Sequence, residues 1–575
     1  MRPPAIAGAC LLLSLLTFFQ FPGHTWLQQD SQIYAPILEH LRDPSVLRLD
    51  ILAQRAHVAY TLYDEIGRAL RTATGLPFRD VLALQQIAAR AFGIWGLYLM
   101  ALAMCMSGLR DAAHAKAQGP KAEPDVSPAA LALFIAAICC LGAVVAGPSV
   151  LTFEYEPTPR AFALPLGLCA AGLTVQRRYL AAGIAAAAAL LYHAPTVLPF
   201  VAIFAALALW PSNSDNLRRR LWRLAPLAGA VLLVGIAAHF QEGAGEAQTF
   251  FARLSPDLEK LQRMRAGYNW ISDKTAWPNA LLAHYTILSA VLLGACWRLR
   301  GHMSIEWRCF ALGLPLLGLL SLPASWLLLD HWRWALVPQL QPMRAILFVT
   351  LFAQLLSATA GVLAAAHGRA LEAAAWLAFA YLPPLQPVLT QPWTPRGAGV
   401  TLALALLAWL AVRTGVAGPE RGPKRLHPYR PAIMLAMALA AFFVIPGLAG
   451  VQNYPKLLTP DVEQLSVWAR SSTPKDAVFL FPDFAKTLDP GIFRTEALRA
   501  VYVDWKGGGQ VNYLGGFAAE WWKRWQQTNQ GRFRPRDLPK LAALNIQYVV
   551  LRPKDRLRDR QPLFESPTYL VYALP

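Results

Sequence analysis

The chain has 575 residues, 55% of them hydrophobic and only 15% charged, with a formal net charge of +19. Soluble domains carry about 25% charged residues, so this balance excludes an ordinary soluble protein. It also excludes a nucleic-acid binder, because many Lys and Arg fall in short segments between apolar runs, the pattern that sets membrane orientation.

Residues 1–21 hold a single Arg2 and then an apolar run. No small-x-small cleavage site follows before Trp26, so the run reads as an uncleaved first span with its N-terminus in the cytoplasm. Residues 22–88 form the first large polar segment. Ile33, Ile37, Leu38 and Leu41 recur at helical spacing, as do Ile51, Leu52, Val58, Leu62 and Ile66. The spacing predicts one or two amphipathic helices along the outer membrane surface. Gly75-Leu76-Pro77 breaks the second of them.

Further apolar runs follow at 88–108, 128–150, 160–175, 179–193, 195–210, 224–240, 279–296, 309–329, 344–366, 370–388, 397–413 and 431–450. With the first they predict about thirteen spans. The pair over 179–210 meets at Tyr192-His193-Ala194-Pro195-Thr196, and reads as two short spans or a bent pair that does not fully cross. Threaded alternately, the inner loops hold Arg177, Arg178, Arg218, Arg219, Arg220, Arg223, Arg298, Arg300, Arg308, Arg369, Arg413, Arg421, Lys424, Arg425 and Arg430. The outer loops are poorer in positive charge, as the positive-inside rule expects. All seven cysteines lie in or beside apolar runs, leaving no disulfide framework and no zinc spacing.

An odd number of spans places residues 451–575 outside. This tail is polar and turn-rich. Helices are expected over 461–471 and 518–527, and strands over 477–482, 500–503, 546–551 and 569–572. That alternation predicts a small α/β domain. The expected architecture is therefore a polytopic α-helical transmembrane domain over 1–450, with outer loops at 22–88 and 151–159, and a periplasmic α/β domain over 451–575.

Carboxylates collect on the predicted outer face. Asp30 follows the first span directly, trailed by Asp43 and Asp50, and Glu154-Tyr155-Glu156 forms an acid-x-acid triplet in the next loop. A carboxylate at Asp30 can take a proton from an acceptor, coordinate a metal, or cap the helix that starts near Ser31. Asp43-Pro44 and Asp50 fit turns and caps as well as a site. In an extended loop Glu154 and Glu156 point the same way, so both could meet one divalent cation, Mg²⁺ or Mn²⁺, or they could simply be solvated. Two arginines on this face run against the positive-inside rule, Arg333 and Arg344, and Arg160 follows the acidic loop. A lipid phosphate would account for them, since Arg binds phosphate oxygens bidentately; snorkelling beside a Trp belt is the other explanation. His193 and His331 are weaker candidates. In the tail, Asp504-Trp505-Lys506-Gly507-Gly508-Gly509 and Glu520-Trp521-Trp522-Lys523-Arg524-Trp525 suit a sugar face, a Trp-rich core or a membrane-docked face. The triple Gly lacks the Gly-Lys-Ser/Thr of a nucleotide loop.

These features together resemble the GT-C superfamily of membrane glycosyltransferases, which take sugars from polyprenyl-phosphate carriers. The resemblance rests on Asp30 after the first span, the long first loop, Glu154-Tyr155-Glu156, Pro159-Arg160 opening a short span, the Leu191-Tyr192-His193-Ala194-Pro195-Thr196 pair, and the outer α/β tail. It implies that Asp30 is the catalytic acid or base and that Glu154 and Glu156 form the second acidic motif, binding acceptor or metal. Arg344, Arg160 and Arg333 are expected at the carrier phosphate. Glu520-Trp521-Trp522-Lys523-Arg524-Trp525 departs from the Trp-Trp-Asp motif of oligosaccharyltransferases, which argues against protein N-glycosylation. The resemblance implies a bacterial inner-membrane enzyme with a polyprenyl-phosphate sugar donor and membrane lipids as partners. A non-catalytic GT-C-like scaffold or lipid-carrier translocator is the alternative.

Overall fold

The computed structural model describes residues 2–54, 61–116, 126–210, 216–240, 252–389, 393–413, 430–449 and 458–574, apart from 485, 514 and 530. Val58, Arg421, Lys424 and Arg425 lie outside the described residues. The apolar runs fold as helices Pro3–Phe19, Phe78–Lys116, Pro128–Cys139, Pro159–Val175, Tyr179–Leu209, Leu217–Phe240, Asn279–Leu299, Ile305–Ser325, Leu347–Ala366, Ala370–Leu389, Pro395–Arg413 and Arg430–Ala449. Among the described residues, six helical stretches are long and apolar enough to cross a membrane: Phe78–Gly108, Tyr179–Leu209, Leu217–Phe240, Asn279–His302, Ile305–His331 and Val337–Ala366. Leu347–Ala366 is the hub, with every residue from Leu347 to Ala364 buried.

Without a strong hydrophobic drive between helices in lipid, association depends on close backbone approach through small residues. Gly96 and Gly172 supply it where Phe78–Lys116 crosses Pro159–Val175. A Cβ on Gly96 would run into the Leu168 carbonyl, and one on Gly172 into the Gly96 carbonyl.

Tyr179–Leu209 is not one rod. At His193 the backbone leaves the helix for an extended conformation (φ −162°, ψ 89°). Tyr179 donates its hydroxyl to Glu306 (3.2 Å), and Phe200 stacks on Phe310 at 5.4 Å. Residues 179 and 200 would be about 31 Å apart along a straight helix, yet their partners are one turn apart, about 6 Å. The second half therefore runs back along the first, as a hairpin of two short arms. Arg223 of the next helix lies over the Tyr179 ring at 4.5 Å, beside the start of the first arm.

The tail carries a mixed five-stranded sheet in the order Ala500–Val501, Val478–Leu480, Tyr548–Leu551, Leu570–Ala573, Phe564–Glu565. The first three strands are parallel and the last two pairings antiparallel. Helices Pro460–Ser472, Asp489–Ala497 and Gly515–Asn529 accompany it.

The first loop is not spread on the membrane surface, as its amphipathic pattern suggested. Helix Ser31–Arg42 turns Ile33 and Ile37 into a core shared with Val511, Phe517 and Trp521 of the tail, and Ile51 and Leu52 join it. Protein, not lipid, covers that apolar face. A buried ionic bridge locks the two segments together. Arg494 donates Nε to Asp50 Oδ2 (2.7 Å) and Nη2 to Asp504 Oδ1, and all three residues are at most 4% exposed.

Candidate active site

The tail and the membrane helices enclose a cavity of about 920 Å³, and Asp30 sits in its wall. Asp30 occupies the N-cap position of helix Ser31–Arg42, but its side chain makes no capping bond. Glu156 instead holds the backbone that leads into the helix. Its Oε1 accepts the Gln29 N–H (2.6 Å) and the Ser31 hydroxyl (2.6 Å), and its Oε2 accepts the Asp30 N–H (2.8 Å). The helix start is thus satisfied from another loop, and the Asp30 carboxylate is released to the cavity.

There it meets two cations. Lys506 Nζ lies 2.8 Å from Oδ1, and Arg160 Nη2 lies 3.5 Å from Oδ2. Burial pushes the Asp30 pKa up, but Lys506, Arg160 and Arg344 outweigh it and hold the carboxyl well below the usual carboxylate range. Arg160, in the first turn of Pro159–Val175, also donates Nε to Glu154 Oε1 (3.2 Å). The loop carrying Glu154 is held from beneath by Arg90, 1% exposed, which donates to the carbonyls of Thr17 (2.8 Å), Gly23 (2.8 Å) and Glu154 (2.6 Å).

Arg344 lies in the turn Pro342–Ile346 that leads into the buried helix Leu347–Ala366, and it lines the same cavity. Its Nη2 makes one long bond to the Tyr268 hydroxyl (3.3 Å). Its Nε and Nη1 are buried and have no hydrogen-bond partner among the described residues. A guanidinium left with unmet donors in a cavity is a site for an anion. Tyr34 and Tyr513 also line the wall. Burial raises both hydroxyls, Tyr513 to about 12, so both stay neutral donors.

A divalent cation does not fit here. Glu156 is 2% exposed and its oxygens serve the helix start. Glu154 is paired with Arg160. No group of three His, Cys, Asp or Glu is placed to hold a metal among the described residues, and the nearby Arg160, Lys506 and Arg344 would repel one. The expected acid-x-acid ligand pair is corrected accordingly: one acid is a brace and the other a counter-ion.

Residues 460–528 match a family described as a domain of unknown function, DUF6798. That segment includes Arg494, Lys506 and the glycine run. A search of solved structures finds, at 14% identity and TM-score 0.45, the cryo-EM structure of the arabinofuranosyltransferase AftD from mycobacteria. The match covers all of this chain and 40% of that one. No curated protein matches the sequence.

The other expected site residues fall elsewhere. Asp50 is fully buried in the ionic bridge and also accepts the Leu52, Ala53 and Val501 N–H groups, so it is structural. Asp43 closes a local turn, accepting the Ser45 N–H and hydroxyl. Arg333 pairs with Glu259 (3.0 Å) away from the cavity wall and is half-exposed. His331 stacks on Trp326. His193 Nδ1 meets Thr196 Oγ1 (2.9 Å) and N, which caps the returning arm of the hairpin.

Lys506 was not among the expected site residues. The signal was present in the glycines that follow it. A Cβ on Gly508 would collide with Trp521 and lie 2.9 Å from Arg265 Nε, while one on Gly509 would press on Ile33. The glycine run lets the backbone press against both the first loop and Trp521, which carries Lys506 to Asp30. Trp505, Trp521, Trp522 and Trp525 form a cluster around it, with Trp521 buried.

Lys506→Met should raise the Asp30 pKa. A depressed carboxyl stabilises the fold fully above its unfolded value of about 3.9, and that stability is lost as pH falls through the folded value. With the depression reduced, less stability is lost on acidification: the loss still begins near the unfolded value, but it ends at a higher pH and its total size in detergent is smaller than in the wild type. A total acid-induced loss as large as that of the wild type would show that Lys506 does not hold the Asp30 carboxyl down.

Proposed function

We propose that this chain is a membrane glycosyltransferase that moves a sugar from a polyprenyl-phosphate carrier to a glycan, lipid or protein acceptor. The observation that carries this is the pairing, in one cavity, of a carboxylate freed from capping (Asp30) with a guanidinium whose buried donors are unmet (Arg344). The cavity lies where apolar helices meet a polar domain, so a lipid-anchored phosphate can reach Arg344 while a water-soluble acceptor enters from the other side.

In the step itself, the acceptor oxygen forms a bond to the anomeric carbon as the bond from that carbon to the phosphate oxygen breaks. The acceptor hydroxyl proton passes to Asp30, and the carrier phosphate leaves with its charge held by Arg344 and Arg160. Lys506 must shift from Asp30 as the acceptor binds, because an ion-paired carboxylate is a poor proton acceptor. Glu154 positions Arg160, and Glu156 positions the Asp30 backbone. The basic residues Arg177, Arg298 and Arg369, paired with Glu306 and Glu372, sit at the helix ends remote from the cavity. That supports a periplasmic cavity and a cytoplasmic N-terminus in a bacterial inner membrane.

One observation favours a non-catalytic lipid-carrier scaffold: Asp30 is already neutralised by two cations. The two functions separate in a transfer assay. Membranes containing the wild type, given radiolabelled hexosyl and pentosyl polyprenyl phosphates, should transfer label, and Arg344→Gln should slow transfer roughly 10–100-fold, the worth of charge-assisted hydrogen bonds of about 1.5–3 kcal/mol. No transfer with any donor by the wild type would leave the scaffold.

A further inference from the structure

Arg265 is the other cation of the cavity wall that no carboxylate claims. It ends helix Pro256–Ala266, and its guanidinium carbon lies 4.1 Å over the Trp505 ring and 5.7 Å from that of Trp521. It makes no hydrogen bond or ion pair among the described residues, and Nε is buried without a partner. Nε faces Gly508, so the terminal amino groups are what the side chain offers to the cavity. Asp504 and Asp30 act on it only through longer-range charge; Asp504 is bonded to Arg494 and to the Gly507 N–H (2.8 Å). Lys486 also lies over the Trp505 ring, at 4.4 Å, so a second cation crowds the same aromatic.

Stacking accounts for the faces of the guanidinium but not for its edge. Cation–π contact leaves the in-plane N–H donors unmet, and the side chain is half-buried with Nε cut off from any partner. The fork-shaped edge is the part that receives carboxylate or phosphate oxygens in pairs. Burial lowers the Arg265 pKa to about 10. Position separates this group from Arg344. Arg344 sits on the turn entering the buried apolar helix, whereas Arg265 abuts the glycine run of the tail.

We infer that Arg265 is a second anion subsite, on the tail side of the cavity, and that the acceptor carries an acidic group, carboxylate or phosphate, which the Arg265 fork receives. The identity of the ligand as an acceptor rests on the transferase function proposed above, but the subsite itself does not.

The test is binding, not turnover, with the full chain in detergent and Trp fluorescence or calorimetry as readout. Three probes serve: digalacturonic acid, mannose 6-phosphate and the neutral methyl galactoside. At least one acidic probe should bind at least 10-fold tighter than the neutral sugar, and the tighter acid shows whether the group is a carboxylate or a phosphate. Arg265→Gln should lower that affinity at least 10-fold, while Arg333→Gln, which lies away from the cavity wall, leaves it within twofold. Acidic probes binding no better than the neutral one in the wild type would overturn the subsite without any variant. An unchanged affinity in Arg265→Gln would do the same, and so would an equal loss in Arg344→Gln, which would mean one shared anion position. Because binding needs no proton transfer, an inactive wild type with an intact Arg265 effect would remove the transferase function and leave the subsite standing.

Discussion

Asp30→Asn should leave the chain folded and inserted while lowering sugar transfer by roughly 10²–10⁴-fold, the contribution of a positioned proton acceptor. Asn matches Asp in shape but cannot take a proton. The helix start does not depend on the side chain being changed, because Glu156 binds the Gln29 and Asp30 backbone N–H groups whatever residue stands at 30. The carboxylate is about a third exposed, so its loss removes a partner from Lys506 and Arg160 at a site that water can reach. Labelled transfer in membranes, normalised to the amount of inserted protein, is the measurement. Wild-type rates in this variant would rule out Asp30 as the base.

Arg494→Met should cost about 3–5 kcal/mol, the range for removing one partner of a buried ion pair. Arg494 is the cation between Asp50 and Asp504, and none of the three is more than 4% exposed. Its removal leaves two buried carboxylates with no charge between them, so one must bind a proton. The backbone N–H groups of Leu52, Ala53, Val501 and Gly507 still reach those carboxylates, so the sheet itself should persist. What should fail is the seam between the first loop and the tail. The thermal midpoint should fall steeply, and protease should cut around residues 43–54 in the variant before it does so in the wild type. A midpoint equal to that of the wild type would show that the bridge adds nothing to the seam.

Local pattern made the apolar helices legible, along with the strands that form at Val478–Leu480 and Tyr548–Leu551 within the expected runs and at Leu570–Ala573, one residue past the expected end. It also made the break at His193 legible, because Pro195 and two short apolar runs leave little else. Asp30 was visible as an acid placed directly after an apolar run. Its chemistry was not, since capping and catalysis use the same residue at the same position. The structure gives the backbone at the helix start to Glu156, which is 126 residues from Asp30 in sequence, and leaves the Asp30 side chain in the cavity wall. No window short enough to read a helix cap contains both. Arg333 departed from the charge rule for a similar reason: its partner, Glu259, sits on another loop. The amphipathic stripe at Ile33 and Ile37 showed that one face of the helix is covered, but periodicity cannot distinguish a bilayer from a domain made later in the chain.

That last point bears on how the protein is made. Asp30 and its counter-ion Lys506 are 476 residues apart. At roughly 5–20 residues per second, the ribosome needs roughly 25–95 s to go from one to the other. During that interval the growing chain holds Asp30 but lacks the roof of the cavity, the lysine that pairs with the acid and the arginine that locks the seam. A chain stopped early would therefore enter the membrane with its first loop uncovered and its cavity unformed.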